Sequence, residues 1–339
     1  MNPNVAHIVY ASDDKFAEIL GVSLVSLYEN SADMEDIVVY VLDSGITDEN
    51  KDKLNCIPEK YGRTPITWIP AQNISKVLSM EVAVDRGSLS QYARLFVSSD
   101  LPDDLDRVLY LDCDIVIVKS IRELWNLDLQ GKTIGALKDA FSPYYRANID
   151  LQPNDIMFNS GVMLIDMNRW KEQKVEERLL KFIGDRNGKI QQGDQGALNA
   201  VLSYDTYCFD PRFNSVTIFY DFNYQEMLIY RKPPKGYYSE SEIRRATDDP
   251  SIIHFTTSFL SKRPWIVGCQ HRYVDVWLKY KAMSPWATSP LWNDKNGTAK
   301  HMTVEILKKL PRGLMIRLAG LAQAYGRPWK NKVSEICRK

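Results

Sequence analysis

Apolar residues in this chain come in short, strand-like runs separated by stretches whose apolar positions recur at helical spacing. His7-Ile-Val-Tyr-Ala11 is one such run; the turn Ser12-Asp13-Asp14 follows it, and then Phe16, Ile19, Leu20, Ser23, Leu24 and Leu27 line one side of a helix. That pattern predicts strand, polar loop and amphipathic helix. Ile37 to Leu42 predicts a second strand, Thr47 and Asp48 open a helix to Ile57, and Ile66 to Ile69 predicts a third strand. Strands alternating with helices imply βαβ units, right-handed crossovers and a mainly parallel sheet, so the fold class is α/β. Further on, the spacing predicts a helix from Leu89 to Val97 carrying Arg94, a strand from Thr133 to Lys138 ending in Asp139, and a strand from Ser160 to Asp166. Gln191-Gln192-Gly193-Asp194-Gln195 opens a helix through Leu202 with Asp194 as its N-cap, and Ile252 to Phe255 forms a last short strand carrying His254. Arg231 to Pro250, rich in Pro, Gly and charge, reads as a loop or mobile insertion. No internal repeat is evident.

One apolar run is interrupted. In Leu109-Tyr-Leu-Asp112-Cys113-Asp114-Ile-Val-Ile-Val118 two carboxylates stand one residue apart. They point the same way if the strand continues and splay around a ligand if it ends there. Unpartnered carboxylates repel and resist desolvation, and a hard divalent cation is the usual remedy. Solvation of both acids at a strand end is the plainer alternative, and the apolar runs on both sides weigh against it. His254 would complete a set of two carboxylates and one imidazole with positions left for phosphate oxygens; such a set suits Mn²⁺, or Mg²⁺, better than Ca²⁺. A lone histidine after a strand is also often structural. Lys262 and Arg263 follow shortly and supply cations for a pyrophosphate. Asp13 and Asp14 lie in the first strand-to-helix loop, where ligands of α/β sheets bind, or else they cap the helix. Neither a Gly-x-Gly-x-x-Gly nor a Walker loop follows that strand; Gly131-Lys132-Thr133 lacks the upstream glycine and precedes a strand.

With 339 residues, 45% of them hydrophobic, the chain can bury a large core. Its formal net charge of zero argues against a nucleic-acid partner, although Lys295 onward holds eleven Lys and Arg against Glu305 and Glu335 alone. Five widely spaced cysteines without a Cys-x-x-Cys pair argue against a disulfide framework or zinc site and fit a reducing cytoplasm. No signal peptide or membrane span is evident, so Asn73-Ile-Ser75 and Asn296-Gly-Thr298 read as chance sequons.

The order of these motifs resembles the retaining, metal-dependent glycosyltransferases of the GT-A fold that include glycogenin and bacterial lipooligosaccharide galactosyltransferases, glycosyltransferase family 8. The matching pieces are Tyr10-Ala-Ser-Asp-Asp14, Tyr92-Ala-Arg-Leu95, Val108-Leu-Tyr-Leu-Asp-Cys-Asp114, Leu137-Lys-Asp139, Phe158-Asn-Ser-Gly-Val162, Asp194-Gln195, and His254 with Arg263-Pro-Trp265, in the family's order over roughly residues 7 to 280. The resemblance implies transfer of a hexose, galactose or glucose, from a UDP-sugar to a glycan or lipid-linked acceptor in bacterial surface polysaccharide or lipopolysaccharide synthesis. It implies that Asp112, Asp114 and His254 hold Mn²⁺ against the diphosphate, with Cys113 in the donor site between them, and that Ala11 and Asp13 contact uracil and ribose, with Lys15 also in the donor site. Arg94, Asp139, Asn159 and Gly161 would line the sugar pocket, and Asp194 and Gln195 would sit near the anomeric carbon, with Asp139 counted alongside them as catalytic. The chain departs from the family in having Thr257 for a glycine, a longer segment before Pro-Trp, Arg263 for a lysine and Lys15 for a small polar residue, which leaves open whether Lys262 or Arg263 reaches the phosphates.

On this reading residues 1–285 form the catalytic domain, with a donor-binding half to about 120 and an acceptor-side half beyond, and 286–339 form a basic extension. Two other functions compete. Asp112 could be the nucleophile of a haloacid-dehalogenase-type phosphatase, although that class places the motif on its first strand; or the chain could be a nucleotide-sugar-binding scaffold without turnover. In the extension, Val304, Leu307 and Leu310 precede the break at Pro311-Arg-Gly313, after which Leu314, Leu318 and Leu321 recur beside Arg312, Arg317 and Arg327. Such a segment suits the anionic inner face of a membrane, or it packs on the catalytic domain or on a second copy of the chain.

Overall fold

A computed structural model of the chain describes residues 2–83, 89–294 and 307–336. The sequon Asn296-Gly-Thr298, Lys295, Lys300, Val304, Glu305, Cys337, Arg338 and Lys339 lie outside the described residues.

Strands β1 (Val5–Ser12), β2 (Asp36–Asp43) and β3 (Thr67–Pro70) alternate with helices α1 (Ala17–Asn30) and α2 (Asp48–Lys60). Next come β4 (Arg107–Leu111), β5 (Ile115–Ile117), β6 (Ile134–Lys138), β7 (Phe158–Asp166), β8 (Thr206–Cys208), β9 (Ser215–Val216) and β10 (Ile252–His254). A central sheet in the order β3-β2-β1-β4-β7-β6-β8 is parallel except at β7, which runs antiparallel to both neighbours. The architecture is α/β, as the alternation of strands and helices predicts. Burial on both faces explains the unbroken apolar runs: Ile8, Tyr10, Leu109 and Leu111 enter one core while Val9, Val108 and Tyr110 enter the other.

The apolar run around Asp112 is two strands in two sheets. β4 ends at Leu111, and β5 joins a second sheet in the order β5-β10-β9. The acidic pair therefore occupies the turn between sheets, at the carboxyl ends of β1, β4 and β6, where open α/β sheets bind ligands.

Three local expectations are corrected. Leu89–Phe96 is a 3₁₀ helix, with only Val97–Asp100 α-helical. Asp194 is not an N-cap: in α3 (Gly193–Leu202) that position is Gln192, whose left-handed backbone (φ 67°) offers no side-chain cap, and Asp194 lies in the first turn with its carboxylate turned to Arg94. Residues 231–250 are not an unstructured insertion. After α4 (Tyr224–Arg231) they form α5 (Glu240–Asp248), closed at its start by a reciprocal capping box of Ser239 and Glu242.

Helix α6 (Val274–Met283) packs on α1, and Trp286 lies over Gly21, where a Cβ would come within 2.4 Å of the indole. Cys56, Cys113, Cys208 and Cys269 are free thiols, and Asn73 caps the short helix Ile74–Val77. Among the described residues no helix is long and apolar enough to cross a membrane.

Candidate active site

Strand pairing assembles the acidic turn and the histidine. In the antiparallel β5/β10 ladder His254 lies opposite Ile115, and Phe255 N–H donates to the Asp114 carbonyl at 2.9 Å. That register puts a histidine 140 residues away beside the acids: His254 Nε2 is 3.1 Å from Asp114 Oδ1 and 3.8 Å from Asp112 Oδ2. The three side chains each offer one ligand atom, and those atoms all lie within 4.8 Å of one another.

A chain of hydrogen bonds fixes which face of the imidazole meets the acids. Gly161 N–H can only donate, so Asn159 Oδ1, 3.0 Å away, is an acceptor; Asn214 Nδ2 therefore donates to the same oxygen at 2.9 Å. Asn214 must then present its carbonyl oxygen to His254 Nδ1, 2.9 Å distant, which puts the ring proton on Nδ1. In the neutral ring Nε2 is then a lone pair facing a carboxylate oxygen. Two acceptors at that separation need a cation or a proton between them, and two carboxylate oxygens plus one imidazole nitrogen form a suitable donor set for a divalent metal.

Glycine is required beside this cluster. At Gly161 a Cβ would stand 2.3 Å from His254 Cε1 and 2.8 Å from Asp112 Oδ2. The β6/β7 register slips between Ala136 and Leu137, freeing Ser160 to Val162 from β6 and letting the Gly161 carbonyl accept from Asp112 N–H at 2.7 Å. Gly161→Ala should therefore displace two of the three candidate ligands. Its Mn²⁺ affinity, measured calorimetrically, should drop roughly 10- to 100-fold, the scale on which disturbed ligand orientation acts; unchanged affinity would show that the cluster is not the cation site.

Behind the acids lies Arg94, buried and fully engaged. Its Nη2 is 2.8 Å from Asp112 Oδ1 and its Nε is 3.0 Å from Asp194 Oδ2, while Nη1 donates to the Ser160 carbonyl at 2.9 Å. The guanidinium stacks 4.5 Å from the Tyr110 ring, and Tyr110 O–H donates to Asp112 Oδ1 at 3.2 Å. Burial opposes the charge, but Asp112 first and Asp194 with it hold the guanidinium above its ordinary pKa. One cation thus joins the acidic turn to the first turn of α3. There Gln195 accepts from Ser160 N–H at 3.4 Å and donates to Asp139 Oδ2 at 3.5 Å. Burial pushes the Asp139 carboxyl above the usual carboxylate range, against the pull of Arg231.

The remaining residues divide. Arg263 Nη2 lies 3.2 Å from Asp114 Oδ2 and donates to Thr257 Oγ1 at 2.9 Å, so it is at the cluster. Lys262 is turned away, 3.2 Å from Asp294. Cys113 is buried, with its thiol against the Ala11 carbonyl at 3.4 Å, and burial raises its pKa. Asp13 caps the short helix Asp14–Phe16 by accepting from Phe16 N–H at 3.2 Å, and Asp14 accepts from Thr47 and Asn50 at the start of α2. Lys15 is exposed, its ammonium 5.9 Å from the Trp292 ring. Asn214 carries a functional contact that sequence reading passes over, because it stands in none of the motifs and only the β9/β10 pairing brings it to the imidazole. Ser160 and Tyr110 lie inside motifs that the sequence reading quotes, but without a role of their own there.

Known proteins are similar to this chain over most of its length. The family described as Glycosyl transferase family 8 matches residues 7–266. General stress protein A of Bacillus subtilis is 28% identical over 290 residues, covering 84% of this chain and 96% of that protein. Lipopolysaccharide 1,2-glucosyltransferase of Escherichia coli is 23% identical, covering 83% and 78%. Among solved structures, the galactosyltransferase LgtC, bound to donor and acceptor sugar analogues, superposes with a TM-score of 0.68 at 24% identity, covering 82% of this chain and 96% of that one. The bifunctional glycosyltransferase WbbM also reaches 0.68 at 17% identity, covering 90% of this chain and 52% of that one. The central sheet is that of a GT-A glycosyltransferase.

Proposed function

The chain belongs to glycosyl transferase family 8, and on that premise we propose that it moves a hexose, galactose or glucose, from a UDP-sugar to a glycan or lipid-linked acceptor with retention of anomeric configuration. The single observation that carries this reading is the convergence of one ligand atom each from Asp112, Asp114 and His254, all within 4.8 Å of one another, beside Arg263. Such a site suits a divalent cation together with an anionic ligand. Mn²⁺, with Mg²⁺ as substitute, is the cation proposed; bound there, it would neutralise charge that develops on the diphosphate as the glycosidic bond breaks.

The residues then divide the work. Asp112, Asp114 and His254 hold the cation, and Asn214 keeps the imidazole in the ligating tautomer. Arg263, already beside Asp114, supplies a fixed positive group for the departing phosphates, which Lys262 in its pairing with Asp294 does not. Ala11, Asp13 and Lys15, with Cys113 packed against Ala11, form the nucleoside side. Arg94, Asn159 and Gly161 shape the sugar pocket, Asp194 and Asp139 accept from sugar hydroxyls, and Gln195 stands at the reacting face. Support for a hexose comes from the relatives, one a glucosyltransferase and one a galactosyltransferase by name. The lipopolysaccharide in the name of the former supports a role in surface-glycan assembly.

Incubation with a panel of UDP-sugars and Mn²⁺, with and without glycan acceptors, tests the reading. UDP should be released from one UDP-hexose far faster than from the others, and nuclear magnetic resonance of the product should show the donor's anomeric configuration retained. Release of inorganic phosphate without UDP would instead make Asp112 a nucleophile, and binding without turnover would make the chain a scaffold.

A further inference from the structure

Beyond Leu310 the chain forms α7 (Arg312–Leu321) and α8 (Arg327–Ile336), joined by a π-helical turn over Ala322–Gly326. One side of this rod is docked. Gly320 lies so close to α4 that a Cβ would be 2.6 Å from the Ile229 carbonyl oxygen. Carbonyls freed by the wide turn are taken up by the segment that follows β6: Ser142 O–H donates to Ala324 O at 2.7 Å and Tyr145 O–H to Gln323 O at 2.9 Å. Asn148 Nδ2 donates to Pro328 O at 2.9 Å. These contacts hold the rod rigidly against the body.

Its outer side carries Leu314, Leu318, Leu321, Tyr325 and Trp329, exposed at 47%, 42%, 54%, 36% and 69%. Successive spacings of four, three, four and four keep them on one face of the helical rod. Solvent-facing helices rarely leave so continuous an apolar row uncovered. Between Leu307 and Ser334 the chain has seven Lys or Arg and no Asp or Glu; Arg317, Arg327, Lys330 and Lys332 are exposed alongside the row. Arg312 is balanced by Glu226 on α4, but a two-fold contact between copies would set the positive charge of the four cations beside the row against itself. An anionic lipid surface complements both features, because leucines and an interfacial Tyr and Trp enter the headgroup layer while the cations pair with lipid phosphates. Among the described residues no helix can span a bilayer, so the contact lies along the surface.

We propose that the outer face of α7 and α8 is a docking surface for an anionic membrane. The proposal does not depend on the donor chemistry, and its test reads binding rather than turnover. The whole protein is sedimented with vesicles of phosphatidylcholine alone or with about one quarter phosphatidylglycerol, at low and high salt. Binding should require the anionic lipid and weaken with salt. A triple variant, R317Q/K330Q/K332Q, should lower the partition coefficient on the order of a hundredfold, and L318S/L321S/W329S should also abolish sedimentation, with thermal melting unchanged in both. Equal binding to neutral vesicles, or wild-type levels of binding by either folded variant, would overturn the proposal. So would a wild-type dimer in analytical ultracentrifugation that L318S/L321S/W329S converts to monomer while the wild type fails to bind vesicles.

Discussion

Asp114→Asn should lower the turnover of UDP-sugar on the order of a thousandfold while leaving the fold intact. The substitution keeps the shape of the side chain and removes its charge from a position with two dependants. Asp114 Oδ1 faces His254 Nε2 at 3.1 Å and Oδ2 faces Arg263 at 3.2 Å. An amide can offer only one oxygen to the cation and leaves Arg263 with a weaker partner. Loss of several kcal/mol of stabilisation for the departing diphosphate corresponds to two or three orders of magnitude in rate. The scaffold is spared because Asp114 holds the sheet through its backbone, its carbonyl accepting from Phe255 N–H, and that bond is unaffected by the side chain. Steady-state kinetics across a Mn²⁺ titration, with a melting curve as control, check the expectation. The variant should require more Mn²⁺ for half-maximal rate; activity within about tenfold of wild type at the same Mn²⁺ requirement would remove Asp114 from the clamp.

Residues whose role depends on local pattern are legible in the chain, and those whose role depends on pairing across it are not. Val108 to Leu111 and Ile115 to Ile117 announce strands because both faces are buried, and the acids between them stand out for that reason. Asn214, by contrast, ends the short 3₁₀ helix Pro211–Asn214 before a two-residue strand, and only the parallel β9/β10 pairing makes it the acceptor for His254. Asp194 shows the same limit from the other side. By local rules an aspartate before an apolar helix is a cap, but a buried guanidinium from the 3₁₀ helix outcompetes the backbone donors for its carboxylate. The opposite error occurs at Glu240–Asp248, a highly charged helix behind a Pro- and Gly-containing approach. Its capping box, Ser239 with Glu242, is the local feature that marks it, and its apolar stripe is narrow, Ile243 and Ala246 being buried. In the same way the spacing after Pro311 foretells an amphipathic helix, but which face stays uncovered depends on α4 and the segment after β6, elements remote in sequence.

Arg94→Met should destabilise the protein more than any single change at the reacting face, because it removes the one cation that Asp112 and Asp194 share. Methionine fills much of the volume against the Tyr110 ring, so packing loss is small, and the cost lies in the buried charges that lose their partner. Breaking a buried ion pair from one side costs about 3–5 kcal/mol, and in a chain of this size that lowers the melting temperature on the order of 10 °C. Arg94→Lys should fall between, since an ammonium can reach one carboxylate but lacks the fork that serves both and the Ser160 carbonyl. A purely steric role for Arg94 predicts something different: methionine and lysine would then be equivalent. The double variant Arg94→Met/Asp194→Asn separates the two. Neutralising Asp194 removes one of the uncompensated charges, so the double variant should melt higher than Arg94→Met alone, with the two changes coupled by more than about 1 kcal/mol. UDP release should stay low in both, because Asp112 lacks the guanidinium that holds it for the cation in each, and in the double variant Asp194 also no longer carries its charge. Simple additivity of the two melting shifts would mean that Arg94 does not bridge the acidic turn to α3.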